Sequence, residues 1–215
     1  MKAICVFCGS SRGANPAYID QAEALGRHLA AEDITLVYGG AKVGIMGALA
    51  RAARAAGGKV VGVIPKHLAE VEIAAEDLSA LHRVESMHER KALMAELADG
   101  FVALPGGLGT LEETAEIATW TQLGLQHKPV GLLNIHGFYD HLLAFLDRAV
   151  EEQFLHRAHR DLLLTDTDPA TLLIRMHTWR PPTVSNGPNQ LPAGSPTPSG
   201  ERVTATRSPG RASER

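Results

Sequence analysis

The densest concentration of residues able to do chemistry is PGGLGTLEE, Pro105 to Glu113. It follows a short apolar run and opens a helical pattern. Gly106, Gly107 and Gly109 let the backbone approach a ligand closely or take positive φ. Unpaired N–H groups and the helix dipole at Thr110 favour an anion there. The run is neither GxGxxG nor GxxxxGK[ST], so it is not a standard dinucleotide or triphosphate loop. A tight strand-to-helix turn without a ligand is the plain alternative, but three glycines and a threonine exceed what a turn requires. Glu112 and Glu113 fall in the first helical turn, where the dipole alone would stabilise either. Neighbouring helical positions point about 100° apart, so at most one of them faces a site squarely.

A second concentration is MHERK, Met87 to Lys91. Positive charge at a helix start is unfavourable unless an anion or a carboxylate compensates it. Arg90 or Lys91 could hold a phosphate or a carboxylate, or could lie on a solvated helix end. His88-Glu89 is not HExxH, because position 92 is Ala, so no zinc site is expected. Ser10 and Ser11 close the first strand, where they either contact phosphate or cap. Gly39, Gly40, Gly44 and Gly47 surround Lys42 and suggest a second ligand-facing loop, although close strand–helix packing accounts for some of them. Cys5 and Cys8 have redox spacing, but Cys5 lies inside a strand, so buried inert thiols are expected. His156 and His159 read as surface residues, and Trp120 and Trp179 as core or interface.

These residues need a frame. Short apolar runs at 3–8, 34–38, 59–64, 81–85, 101–104, 130–133 and 162–164 read as strands. Helical patterns at 16–31, 44–56, 87–97, 110–123, 138–152 and 169–176 separate them, and 65–80 reads as a long loop. Strands alternating with helices predict one α/β domain, a Rossmann-like doubly wound parallel sheet with helices on both faces. Ligands bind such sheets beyond the carboxyl ends of the strands, which is where the glycine-rich segments fall.

Composition bounds the partners. The chain has 215 residues and a net charge of −3. Residues 181–215 hold seven of the twelve prolines and no aromatic residue, and are expected to form a disordered tail. The body, 1–180, has 17 Lys+Arg against 22 Asp+Glu, or −5. That balance argues against a nucleic-acid polymer as partner. There is no apolar run long enough to span a membrane and no secretory signal, so a cytoplasmic protein is expected. Ile117, Trp120 and Leu123 suit either a dimer interface or packing against the sheet.

Taken together, several segments resemble the LOG family, the cytokinin riboside 5′-monophosphate phosphoribohydrolases once called lysine decarboxylases. They are CVFCGSS at 5–11, YGG-x-x-x-G-x-M-G at 38–47, GVIP at 62–65, MHERK at 87–91 and PGGLGTLEE at 105–113. KPVGLLN at 128–134 and GFYD at 137–140 extend the match over roughly residues 1–165. The resemblance implies a Rossmann-like fold, at least a homodimer, and no metal or cofactor. It implies hydrolysis of an N6-substituted adenosine 5′-monophosphate to free base and ribose 5-phosphate. The catalytic pair would fall on Arg90 and Glu113, and the phosphate loop on Gly106, Gly107, Gly109 and Thr110. Leu108, Leu111 and Glu112 of the same motif, with Met87, Lys91 and Thr119, join the implied substrate contacts. Gly9, Ser10 and Gly40 join them from the strand ends, and Glu72 from the long loop. This chain has Ser86 where the family often has Asp, and AEVE where it usually has PRE. Three other functions share these features: hydrolysis of AMP or another nucleoside monophosphate, non-catalytic nucleotide binding, and amino-acid decarboxylation.

Overall fold

The computed structural model describes residues 1–69 and 78–181. Both the tail expected from residue 181 and the candidate contact Glu72 lie outside them, Pro181 apart. The described residues belong to one compact unit, Met1–Val184.

Seven strands form one sheet: β1 Ala3–Phe7, β2 Thr35–Tyr38, β3 Val60–Pro65, β4 Ala80–Val84, β5 Gly100–Ala103, β6 Val130–Leu133 and β7 Leu163–Asp166. All neighbours are parallel, in the order β4-β3-β2-β1-β5-β6-β7. The chain winds one way from β1 to β4, then crosses back and winds the other way from β5. The order therefore reverses between β1 and β5, and a crevice opens at their carboxyl ends.

The helices are α1 Ala17–Ala31, α2 Gly44–Ala55, α3 Lys66–Ala69, α4 Met87–Leu97, α5 Leu108–Gln122, α6 Asp140–Glu151, α7 Arg157–Arg160 and α8 Pro169–Thr178. Strand side chains alternate between faces. Ile4, Val6 and Cys8 share a core with residues of α1, α2 and α8. Cys5 and Phe7 point the other way and share a core with Met94 of α4 and Ile117 of α5. Cys5 and Cys8 are thus buried, free and on opposite faces of the sheet. Redox spacing in sequence does not become a redox pair here, because three residues along a strand reverse the face. Burial pushes both thiols well above their ordinary range.

The strand and helix expectations hold in kind, with two differences. α5 begins at Leu108 rather than Thr110, because extended Gly107 serves as its N-cap. The four-residue helices α3 and α7 were too short to leave a periodic signal. Among the nominal interface residues, Ile117 is buried, Trp120 packs half-buried on the same core, and Leu123 is exposed. No helix among the described residues is long and apolar enough to cross a membrane.

Candidate active site

The crevice is built by backbone first. The Gly9 N–H donates to the Pro105 carbonyl at 3.1 Å, tying the β1 loop to the β5 loop. A Cβ on Gly106 would lie 2.1 Å from Thr110 Oγ1, so that glycine serves close packing of its own loop. Gly106, Gly107 and Gly109 all have ordinary negative φ; positive φ is needed instead at Gly40, at +79° beyond β2. Space beside Gly107 and Gly109 is open. From the far side, Tyr139 of the GFYD segment donates its hydroxyl to the Leu104 carbonyl at 2.6 Å. Its own N–H is held by Asn134 Oδ1 at 2.7 Å. This pins the strand end from which the glycine loop departs.

Two long helices start at this crevice, and they differ in what their N-termini bind. At α2, the Ile45 and Met46 N–H groups donate to the carbonyls of Ser11 and Gly9 at 3.2 and 3.3 Å. That terminus holds the β1 loop, including Ser10. At α5, Gly107 supplies no side-chain cap, and the first intrahelical bond runs from Leu111 N–H to the Gly107 carbonyl. The N–H groups of Leu108, Gly109 and Thr110 therefore have no intrahelical acceptor and, with the dipole, favour an anion.

α4 enters from the other side. Ser86 is its N-cap, with Oγ accepting from the Glu89 N–H at 3.1 Å, while the Glu89 carboxylate accepts from the Glu85 N–H at 2.8 Å. This is close to a capping box. Serine caps as well as aspartate does, so the departure from the family's usual Asp keeps the helix start. The cap fixes the direction of the next residues. Arg90 and Glu113 are 6% and 7% exposed, and their charged ends stand 3.9 Å apart. Arg90 Nη1 lies 3.7 Å from Met87 Sδ, and its buried Nε has no hydrogen-bond partner among the described residues. Such an under-satisfied buried cation is costly unless a further acceptor completes it.

Of the two partners expected for Lys91, a phosphate or a carboxylate, the structure shows carboxylates. Lys91 crosses to α5, where its ammonium pairs with Glu112 and, at 3.0 Å, with Glu116. Burial alone would push its pKa down. The hydrogen bonds and charges of the two glutamates outweigh that and hold it above the ordinary lysine range. Lys91 is thus a strut between α4 and α5, and Glu112 faces it rather than Arg90. Of the adjacent glutamates, Glu113 is the one turned to the buried pair. Glu116 was not singled out from sequence, although its i,i+4 spacing from Glu112 places both on one helix face.

Replacing Lys91 with methionine should lower the melting temperature by several degrees at pH 7. That corresponds to a loss of roughly 1–3 kcal/mol for charged hydrogen bonds. Because the folded pKa is raised, this contribution is complete below about pH 10.4 and is lost as pH rises through the folded value. Melting curves of wild type and K91M should therefore converge in strong alkali; a gap independent of pH would refute the strut.

Not every implied contact is brought together. Leu111 and Thr119 line a groove between α5 and the α6–α7 region, with Leu142, Leu146 and Leu155. The Thr119 hydroxyl donates to the Ala115 carbonyl at 2.7 Å. No group of three or more metal-ligating side chains occurs among the described residues. His156 caps α7, and its ring lies 5.8 Å from that of His159.

The family described as "possible lysine decarboxylase" matches residues 46–176. A probable cytokinin riboside 5′-monophosphate phosphoribohydrolase of Oryza sativa subsp. japonica is 49% identical over 180 residues, covering 84% of this chain and 79% of that protein. The chain belongs to the LOG family. A cytokinin riboside 5′-monophosphate phosphoribohydrolase of Arabidopsis thaliana is 45% identical and covers 84% of each chain. Among solved structures, the molybdenum cofactor binding protein of Rippkaea orientalis has a TM-score of 0.64 at 22% identity, covering 83% of this chain and 97% of that one. That likeness establishes the α/β fold and nothing of the ligand.

Proposed function

We propose that the protein hydrolyses the N-glycosidic bond of N6-substituted adenosine 5′-monophosphates, releasing free base and ribose 5-phosphate. One observation carries the chemical reading. A buried arginine–glutamate pair stands beside an uncapped helix N-terminus at the sheet's switch point. Breaking the bond builds positive charge on C1′ and O4′ as the base leaves. The Glu113 carboxylate stabilises that charge and orients the water that adds to C1′. A guanidinium does not serve as a general acid, so Arg90 is not the group that protonates the base. It orients Glu113 and anchors substrate, with Nε, which has no hydrogen-bond partner among the described residues, as the donor turned to it. The α5 N-terminus takes the 5′-phosphate, with Gly106, Gly107, Gly109 and Thr110 shaping the loop. On this reading Gly9 and Ser10 after β1, Gly40 after β2 and Met87 of α4 are the further substrate contacts that the family resemblance implies.

The description of the family as a decarboxylase finds no support in Lys91. A Schiff-base lysine needs a lowered pKa, and here two carboxylates raise it. The deciding experiment is chromatography of free base after incubation with isopentenyl-AMP, AMP and other monophosphates. Base released fastest from the N6-substituted nucleotide supports the proposal. Binding without base release would make the protein a nucleotide sensor.

The protein acts in the cytoplasm as a homodimer. α6 has no buried residue in the single chain, and Phe145 and Phe154 are 67% and 87% exposed. Exposed aromatic residues on the α5–α6 side suit a second copy of the chain. Sedimentation should give twice the chain mass, and Phe145→Asp should shift it towards monomer; a wild-type monomer would overturn this assembly.

A further inference from the structure

We infer that Gly39 is a positioning residue, the seat on which the Arg90 guanidinium rests. Gly39 directly follows β2, and the alternation that turns Tyr38 toward α1 and α2 turns position 39 toward α4. A Cβ built there would lie 2.2 Å from Arg90 Nη2 and 2.9 Å from Met46 Sδ. The first distance is far inside contact, so no side chain fits while Arg90 stays in place. Both obstructing atoms lie at or near the ends of flexible side chains, so the fold can absorb a methyl group by moving them. The site cannot, because Arg90 Nη2 is the atom that stands 3.9 Å from Glu113. Gly40 differs. Its φ of +79° makes any substitution a backbone problem, whereas Gly39 has no such requirement and its constraint is steric and local to Arg90.

This inference rests on the assignment of Arg90 and Glu113 to glycosidic hydrolysis, so its test has one arm that does not depend on turnover. In the wild type, buried Arg90 should resist modification by phenylglyoxal, read by peptide mapping. In Gly39→Ala the displaced guanidinium should react several-fold faster, with the melting temperature little changed. The turnover arm uses isopentenyl-AMP. G39A should lose at least about 30-fold in kcat/KM, mostly in kcat, because Glu113 loses its orientation. In an Arg90→Ala background, where the obstructing atom is gone, adding Gly39→Ala should change kcat/KM by less than about threefold. Unchanged Arg90 reactivity in G39A, or losses that multiply in the double variant, would overturn the inference. A wild type that releases no base defeats the proposed function alone, since the modification arm still reports whether Gly39 seats Arg90.

Discussion

Replacing Glu113 with glutamine should lower kcat for isopentenyl-AMP by about a thousandfold while ribose 5-phosphate still binds. The amide has the carboxylate's shape and can still accept a hydrogen bond, so the change isolates the charge. That charge sits in a nearly water-free position, 7% exposed, where electrostatic stabilisation of a developing cation is far stronger than in solvent. Losing one such group costs on the order of 10²–10³ in rate. A carboxylate that also orients water, as here, belongs at the upper end. The substitution also leaves Arg90 a buried cation without its carboxylate, so stability should fall. The 3.9 Å separation keeps that loss below the roughly 3–5 kcal/mol of a close buried pair. Measuring kcat, ribose 5-phosphate affinity and melting temperature together separates the two effects. Near-wild-type kcat in E113Q would remove Glu113 from the chemistry.

Removing the 5′-phosphate from the substrate should lower kcat/KM by about a thousandfold, although the phosphate is remote from the bond that breaks. The α5 N-terminus offers the N–H groups of Leu108, Gly109 and Thr110 with no side-chain cap competing for them. Hydrogen bonds to a charged partner contribute about 1.5–3 kcal/mol each. Two or three made imperfectly give about 4 kcal/mol, which is close to three powers of ten at 1.4 kcal/mol per tenfold. Because the phosphate also fixes where C1′ lies over Glu113, part of the loss should fall on kcat rather than KM. Comparing isopentenyladenosine with its 5′-monophosphate tests this. Equal kcat/KM for the two would show that the glycine loop does not serve phosphate.

Much of the frame was legible because its signals are local. α4 spans Met87–Leu97 as the pattern predicts, since Ser86 and Glu89 cap it within one turn of chain. The strands were legible because both faces of a parallel sheet are buried, which forces short, nearly continuous apolar runs. The glycine loop was legible because a helix N-terminus beside three glycines has few other uses. The start of α5 was misplaced by two residues because a glycine cap leaves no side-chain signal.

The roles inside MHERK and PGGLGTLEE were not local. Composition and periodicity left Arg90 and Lys91 equivalent, and likewise Glu112 and Glu113. Adjacent helical residues point in different directions, and only the packing of α4 against α5 determines what lies in each direction. In the folded chain, Lys91 reaches Glu112 and Glu116, while Arg90 faces Glu113 across the end of β2. The requirement for glycine at 39 was equally invisible, since the atom that imposes it belongs to a side chain 51 positions later. Residue types, their short-range spacing and the resulting elements are properties of the chain read in order. The pairing of charges and the exclusion of a methyl group at Gly39 depend on distances between elements, which exist only after the sheet has brought β1, β2 and β5 side by side.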